Sequence, residues 1–184
     1  MLKNIIFVFI ILNISSMIRA QSGVKAGDKA PSISVEEWLK GEPVNSFEND
    51  KVYLVEFCGT WCGPCIENIP HLSELQKKYS DRGLVVIGVA THEFDGRAKL
   101  DKFMAERGSE MEYTVAFDTD LSMQRDWDTG ESGDDKFRLP VCFIVDKTGK
   151  VIFTGHPADI KLEDMIVSAL NSIIILQNAY LFLL

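Results

Sequence analysis

Cys62 and Cys65 stand three positions apart in Trp61-Cys62-Gly63-Pro64-Cys65, and Cys58 and Cys142 complete the four cysteines of the chain. A bridge across so short a loop adds little as a structural staple, because cross-linking stabilises more as the closed loop lengthens. The spacing suits a redox couple or a soft metal site. Thiol-disulfide chemistry needs a thiolate, and so a way to lower a thiol pKa from its ordinary value of about 8.5. A cysteine that ends a strand and opens a helix has one, since the unpaired N–H groups and the dipole of the first turn favour negative charge. Cys62 meets that condition, and Gly63-Pro64 fits a helix start, where the missing N–H of proline costs no bond. Cys65, one turn further in, is expected to be less exposed than Cys62 and to resolve a mixed disulfide by intramolecular attack.

The elements that must hold this pair are legible on either side of it. Lys51 to Phe57 (KVYLVEF) is short, β-branched and aromatic, the pattern of a buried strand. From Gly63 to Tyr79 the apolar residues Ile66, Ile69, Leu72 and Leu75 recur at helical spacing, with Pro70 expected to kink the helix rather than end it. Leu84 to Ala90 reads as a second buried strand, parallel to the first if the helix between them is the crossover. Lys99 to Arg107 is expected to be helical, Tyr113 to Phe117 a short strand and Leu121 to Trp127 a helical turn. Val141 to Val145 and Val151 to Thr154 flank Asp146-Lys147-Thr148-Gly149, which predicts an antiparallel hairpin. A last helix is expected from about Ile160 to Leu176, with Leu162, Ile166, Leu170 and Ile173 on one stripe. Ala30 to Phe47 reads as an extended approach with a turn at Lys40-Gly41-Glu42-Pro43. These elements sum to an α/β sandwich, a mixed sheet flanked by helices.

Glu56 is acidic in an otherwise apolar strand, six positions before Cys62. If it is buried, its pKa rises and it can take or deliver the proton of Cys65; otherwise it points to solvent. For Cys58 and Cys142 the plain expectation is a small buried hydrophobe, against a mutual disulfide or a regulatory thiol. Cys142, two positions after Pro140, can approach the site on the same face of its strand, given the period of two. His71 lies past the kink on the site helix. His92 follows a strand in His-Glu-Phe-Asp-Gly, a loop position of the kind that carries function. Neither His71 nor His92 has a partner that the sequence identifies.

The chain has 184 residues, 46% hydrophobic and 25% charged, enough for one core and one domain. Lys3, the apolar run Ile5 to Leu12 and the small Ala20 before Gln21 read as a signal peptide over residues 1–20, since the run is short for a bilayer span. The domain is then 21–184, with its core at about 24–176. Losing the basic Lys3 and Arg19 would move the net charge from −8 to −10. So acidic a chain is a poor candidate for binding nucleic acid or anionic lipid, and no nucleic-acid partner is expected. The tail 172–184 is apolar but carries Asn178 and Gln177 and no basic anchor, so a terminal helix is expected rather than membrane contact.

On the Trp-Cys-Gly-Pro-Cys box, Val55-Glu56-Phe57, Pro70, Leu139-Pro140 with Val141 to Asp146, Gly149-Lys150 and Gly155-His156-Pro157-Ala158, the chain resembles the thioredoxin superfamily, in its exported TlpA-like and redoxin branch. The resemblance spans about Val24 to Met165. It implies a thioredoxin-like sandwich with a cis peptide before Pro140, opposite the Cys62/Cys65 pair. It also implies that Trp61, Gly63, Pro64 and Leu139 contact the substrate and that Glu56 stands for the buried acid, commonly Asp. The implied activity is exchange of disulfides with exported, periplasmic or otherwise extracytoplasmic proteins, in the reducing direction, with an upstream thiol carrier as electron donor and no cofactor. Two departures stand out: Cys58 replaces a bulky residue, and Asn68 stands where some TlpA-like reductases place a Glu, so their substrate specificity does not carry over. A copper carrier using Cys62, Cys65 and a further Cys or His is the competing reading. A peroxidase of peroxiredoxin type lacks its motif here.

Overall fold

The computed structural model describes residues 23–127, 129 and 139–172. The expected signal peptide and the end of the apolar tail, with Ile173, lie outside the described residues. Six strands form one sheet: β1 (Glu37–Lys40), β2 (Val52–Cys58), β3 (Leu84–Ala90), β4 (Thr114–Phe117), β5 (Val141–Val145) and β6 (Val151–Gly155). Their order across the sheet is β1-β4-β3-β2-β5-β6. The strands β2, β3 and β4 run parallel, and β1, β5 and β6 are antiparallel to their neighbours. The helices among the described residues are α1 (Gly63–Tyr79), α2 (Arg97–Arg107), α3 (Ser122–Trp127) and α4 (Leu162–Asn171).

β2 is central and buried on both faces, so its side chains alternate between two cores. Val52 and Leu54 join Leu72 and Leu75 of α1 and Ile166 and Leu170 of α4 in one cluster. Tyr53, Val55 and Phe57 join Phe143, Trp127 and Met123 in the other. By this parity Glu56 and Cys58 fall on the α1 side. The sheet thus delivers three segments to one end. The loops after β2 and β3 emerge together because those strands are parallel, and β5 begins there because Val141 pairs with Phe57.

Three local differences from the sequence reading have simple causes. Tyr113 precedes β4 instead of opening it, and its ring stands over Gly88, where a Cβ would lie 3.0 Å from the ring edge. The last helix begins at Leu162, because a turn closed by Leu162 N–H to Asp159 C=O (2.9 Å) leaves Ile160 outside it and 92% exposed. It ends at Asn171, because Ser172 is extended (φ −65°, ψ 124°). Helix α1 is continuous through Pro70.

Leu72 is fully buried at the centre of the α1 cluster. Leu72→Ala is expected to cost ~2–5 kcal/mol. Urea unfolding should show this as a lower midpoint with an unchanged slope, and an unchanged midpoint would contradict the packing.

Candidate active site

β2 ends at Cys58, and Gly59-Thr60-Trp61 lead into α1 with Cys62 as its N-cap (φ −89°, ψ 100°). Cys62 and Cys65 form a disulfide with Cα atoms 5.3 Å apart. The Cys65 N–H donates to Cys62 Sγ at 3.3 Å, and the first turn of α1 carries no acidic residue to offset its positive end. Both observations favour negative charge on Cys62 once the bridge is reduced. The expected difference in exposure is absent, however: both cysteines are 4% exposed. In the oxidised state the two sulfurs share one covalent bond and one bed, so position along the helix, not accessibility, separates them.

Glu56 sits between Gly88 of β3 and Cys142 of β5 and is 1% exposed. Burial pushes its carboxyl up to about 8, and a hydrogen bond with the Cys58 thiol pulls part of that back. Its Oε1 has no hydrogen-bond partner among the described residues. Glu56, Cys58 and Cys65 line one cavity of ≈ 30 Å³, together with Glu93, Leu100 and Tyr113. That is room for a water or two, the natural bridge between an orphan carboxyl oxygen and a nearby sulfur. Burial and the Glu56 and Glu93 charges raise the Cys58 thiol well above its ordinary value. Burial likewise raises Cys142 and Tyr113. Both spare cysteines are free, so the mutual disulfide did not form. They are inert neighbours of the carboxyl rather than nucleophiles.

The remaining expected residues fall at the same end. Trp61 is 39% exposed. Gly63 and Pro64 are exposed, Leu139 is half-buried and Pro140 is buried. The Leu139–Pro140 bond is cis, and Pro140 directly precedes the Val141 that pairs with Phe57. Asn68 is turned into its own helix, donating from Nδ2 to the Pro64 carbonyl (2.7 Å). His71 is half-buried on α1 and His156 is exposed, its Nδ1 accepting from Ala158 N–H at 3.0 Å. Among the described residues no group of three or more His, Cys, Asp or Glu is arranged to hold a metal ion.

One contributor was not read from the sequence. Glu93, after β3, accepts the Thr60 N–H at 2.8 Å and the Thr60 hydroxyl, and the backbone carbonyl of His92 accepts Trp61 Nε1–H at 2.6 Å. Thr91 N–H donates to the Cys58 carbonyl at 2.8 Å. The loop after β3 therefore clamps the loop that carries Cys62. The available signal was topological, since ligand-contacting loops follow the carboxyl ends of neighbouring parallel strands.

The redoxin family model matches residues 25–170. The chain belongs to the redoxin family. Among curated relatives it is 30% identical over 155 residues to protein FixW of Rhizobium leguminosarum, covering 82% of this chain and 68% of that one. It is 30% identical over 145 residues to the thiol-disulfide oxidoreductase ResA of Bacillus thuringiensis subsp. konkukian, covering 77% and 76%. Among solved structures it superposes with a TM-score of 0.67 at 30% identity on a protein of Chlorobium tepidum provisionally assigned as the thiol:disulfide interchange protein DsbE, covering 80% of this chain and 99% of that one. With the Cys62–Cys65 bridge, these likenesses make this redoxin a thiol-disulfide oxidoreductase of thioredoxin fold.

Burial of Glu56 has a thermodynamic signature. With its folded pKa at about 8, raised from 4.5, the native state holds a proton that the unfolded chain releases. Its contribution is fully present below the unfolded value and is lost as pH rises through 8, by up to ~5 kcal/mol. Glu56→Gln, which cannot ionise, should flatten the decline in stability between the two values. Denaturant unfolding across that range checks it, and identical pH profiles for the variant and the wild type would contradict a buried, proton-bearing Glu56.

Proposed function

We propose that this redoxin reduces disulfides of exported proteins, with Cys62 as attacking thiolate, Cys65 as resolving thiol and Glu56 as the base that takes the Cys65 proton. The observation that carries the reading is the asymmetry around one bridge: Cys62 Sγ caps the unopposed positive end of α1, while Cys65 shares a cavity with a buried carboxyl whose pKa is about 8.

In the reduced protein the Cys62 thiolate attacks one sulfur of a client disulfide, forming a mixed disulfide and releasing the other client sulfur as thiolate. Glu56, in its ionised form, takes the proton of Cys65 through cavity water. A pKa near that of an ordinary thiol makes this transfer nearly balanced, which is where a general base works best. The Cys65 thiolate then attacks Cys62 Sγ and expels the second client thiolate. The client leaves as a dithiol, two electrons richer, and the protein is left with the Cys62–Cys65 bridge. An upstream thiol carrier returns the electron pair.

The reducing direction is supported by the small number of groups that would stabilise a Cys62 thiolate. A strong oxidant owes its potential to a stabilised reduced form. Here one amide hydrogen bond of 3.3 Å supports Cys62, in a chain with a formal charge of −8. The likeness of the Gly63-Pro64 dipeptide and Glu56 to reducing members of the superfamily points the same way. The apolar run Ile5 to Leu12 after Lys3 supports an extracytoplasmic location and a domain beginning near Gln21, with Trp61, Gly63, Pro64 and Leu139 forming the surface that meets the client and the buried cis Pro140 holding the backbone beside it. No helix among the described residues is long and apolar enough to cross a membrane.

Titration of the Cys62/Cys65 couple against thiol-disulfide buffers should place it near about −270 mV, and a value near about −120 mV would reverse the assigned direction. Cys65→Ser should accumulate the client as a mixed disulfide that Cys62→Ser never forms. Trapping by Cys62→Ser instead would overturn the roles of the two thiols.

A further inference from the structure

Single exposed apolar side chains are ordinary, whereas adjoining ones mark contact surfaces. Among the described residues three large ones are exposed: Trp61 at 39%, Phe94 at 67% and Ile160 at 92%. Ile160 stands alone before α4. Trp61 and Phe94 stand together, their ring centroids 5.2 Å apart and tilted by 43°, with the His92 ring 5.8 Å from Phe94.

This aromatic step is held rather than loose. Trp61 lies back over Gly59, where a Cβ would come within 2.7 Å of its Nε1, and its indole N–H is bonded to the His92 carbonyl. The carboxylate of Glu93, between the two ring-bearing residues His92 and Phe94, is bonded to Thr60. His92 itself takes a positive φ of 50°, a conformation uncommon for a side-chain-bearing residue. The loop after β3 thus accepts an unfavourable backbone angle and presents an exposed phenyl ring beside the residue that precedes Cys62.

We infer that Phe94 is a specificity-determining residue: with Trp61 it forms a docking step for an extended client segment that carries an aromatic side chain one or two positions from its disulfide cysteine. The inference rests on the oxidoreductase reading above, because the occupant is fixed by continuity with Cys62. A client sulfur bonded to Cys62 puts its own chain against Trp61. At about 3.3 Å per residue, an extended segment carries its next one or two side chains past Trp61, whose ring lies 5.2 Å from that of Phe94. An aromatic side chain there completes a cluster in the tilted geometry that Trp61 and Phe94 already adopt.

The test uses the reduced full-length protein and two disulfide-bridged peptides, identical except for Phe or Ser two residues from each cysteine. The wild type should show a KM roughly five- to tenfold lower for the Phe peptide, the range expected of one added aromatic contact. Phe94→Ser should bring the two KM values together, and Phe94→Tyr should keep them apart. Equal KM values in the wild type, or a preference that survives Phe94→Ser, would overturn the inference. Failure to reduce either peptide would instead overturn the reducing direction proposed above, and this inference with it.

Discussion

A carboxyl group in the middle of a fully covered strand governs this structure. Glu56 is the one acidic residue of β2, paired with strands on both sides, and it is 1% exposed. An ionised carboxylate in such a place is costly, so the group keeps its proton to about pH 8. Its surroundings are shaped to it. Gly88 leaves room for the Tyr113 ring, whose own ionisation burial and Glu56 suppress, and the neighbour of Glu56 on the same face of β2 is the neutral thiol of Cys58, not a cation. A lysine or arginine there would fix the charge and end any use of the group as a base at neutral pH.

The other half of the chemistry depends on the end of the sheet at which three segments meet. Parallel pairing of β2 with β3 brings the site loop and the clamp loop out side by side, and antiparallel pairing of β5 with β2 starts the Pro140 segment at the same end. No single element forms the site. The hydrogen bonds from Thr60 and Trp61 to the loop after β3 join backbone that is more than thirty residues apart in sequence, so the clamp exists only once the parallel pair has formed.

Local patterns carried most of this information. The bounds of α1 and β3 could be read directly, because apolar spacing, the proline at the first turn and Gly83 with its positive φ of 95° punctuate the chain sharply. Cys62, Cys65 and Glu56 were legible for a related reason: each violates its local pattern, as thiols at a helix start or as an acid within an apolar strand. Glu93 and Phe94 violate nothing. In a loop, a glutamate and a phenylalanine are ordinary residues, and only the sheet order makes them neighbours of Thr60 and Trp61. The end of α4 was misread because apolar spacing continues past Asn171, whereas the backbone turns extended at Ser172.

Equal burial of Cys62 and Cys65 sharpens the question of what makes their roles differ. The answer lies in two fields of opposite sign acting one helical turn apart. At Cys62 the positive end of α1, where the Cys65 N–H donates to Cys62 Sγ, lowers the cost of negative charge, with no acid in the first turn to cancel it. At Cys65 the adjoining cavity holds Glu56, and any ionised fraction of that carboxyl raises the cost of a second negative charge beside it. In the proposed cycle Glu56 accepts the proton of Cys65 before that sulfur resolves the mixed disulfide, so resolution is coupled to a transfer that neutralises the charge opposing it. Asn68, which donates to Pro64 instead of adding another acid to the helix, leaves that coupling to Glu56. The separation of roles thus needs no difference in exposure, only a helix start and a buried acid on opposite sides of one short bridge.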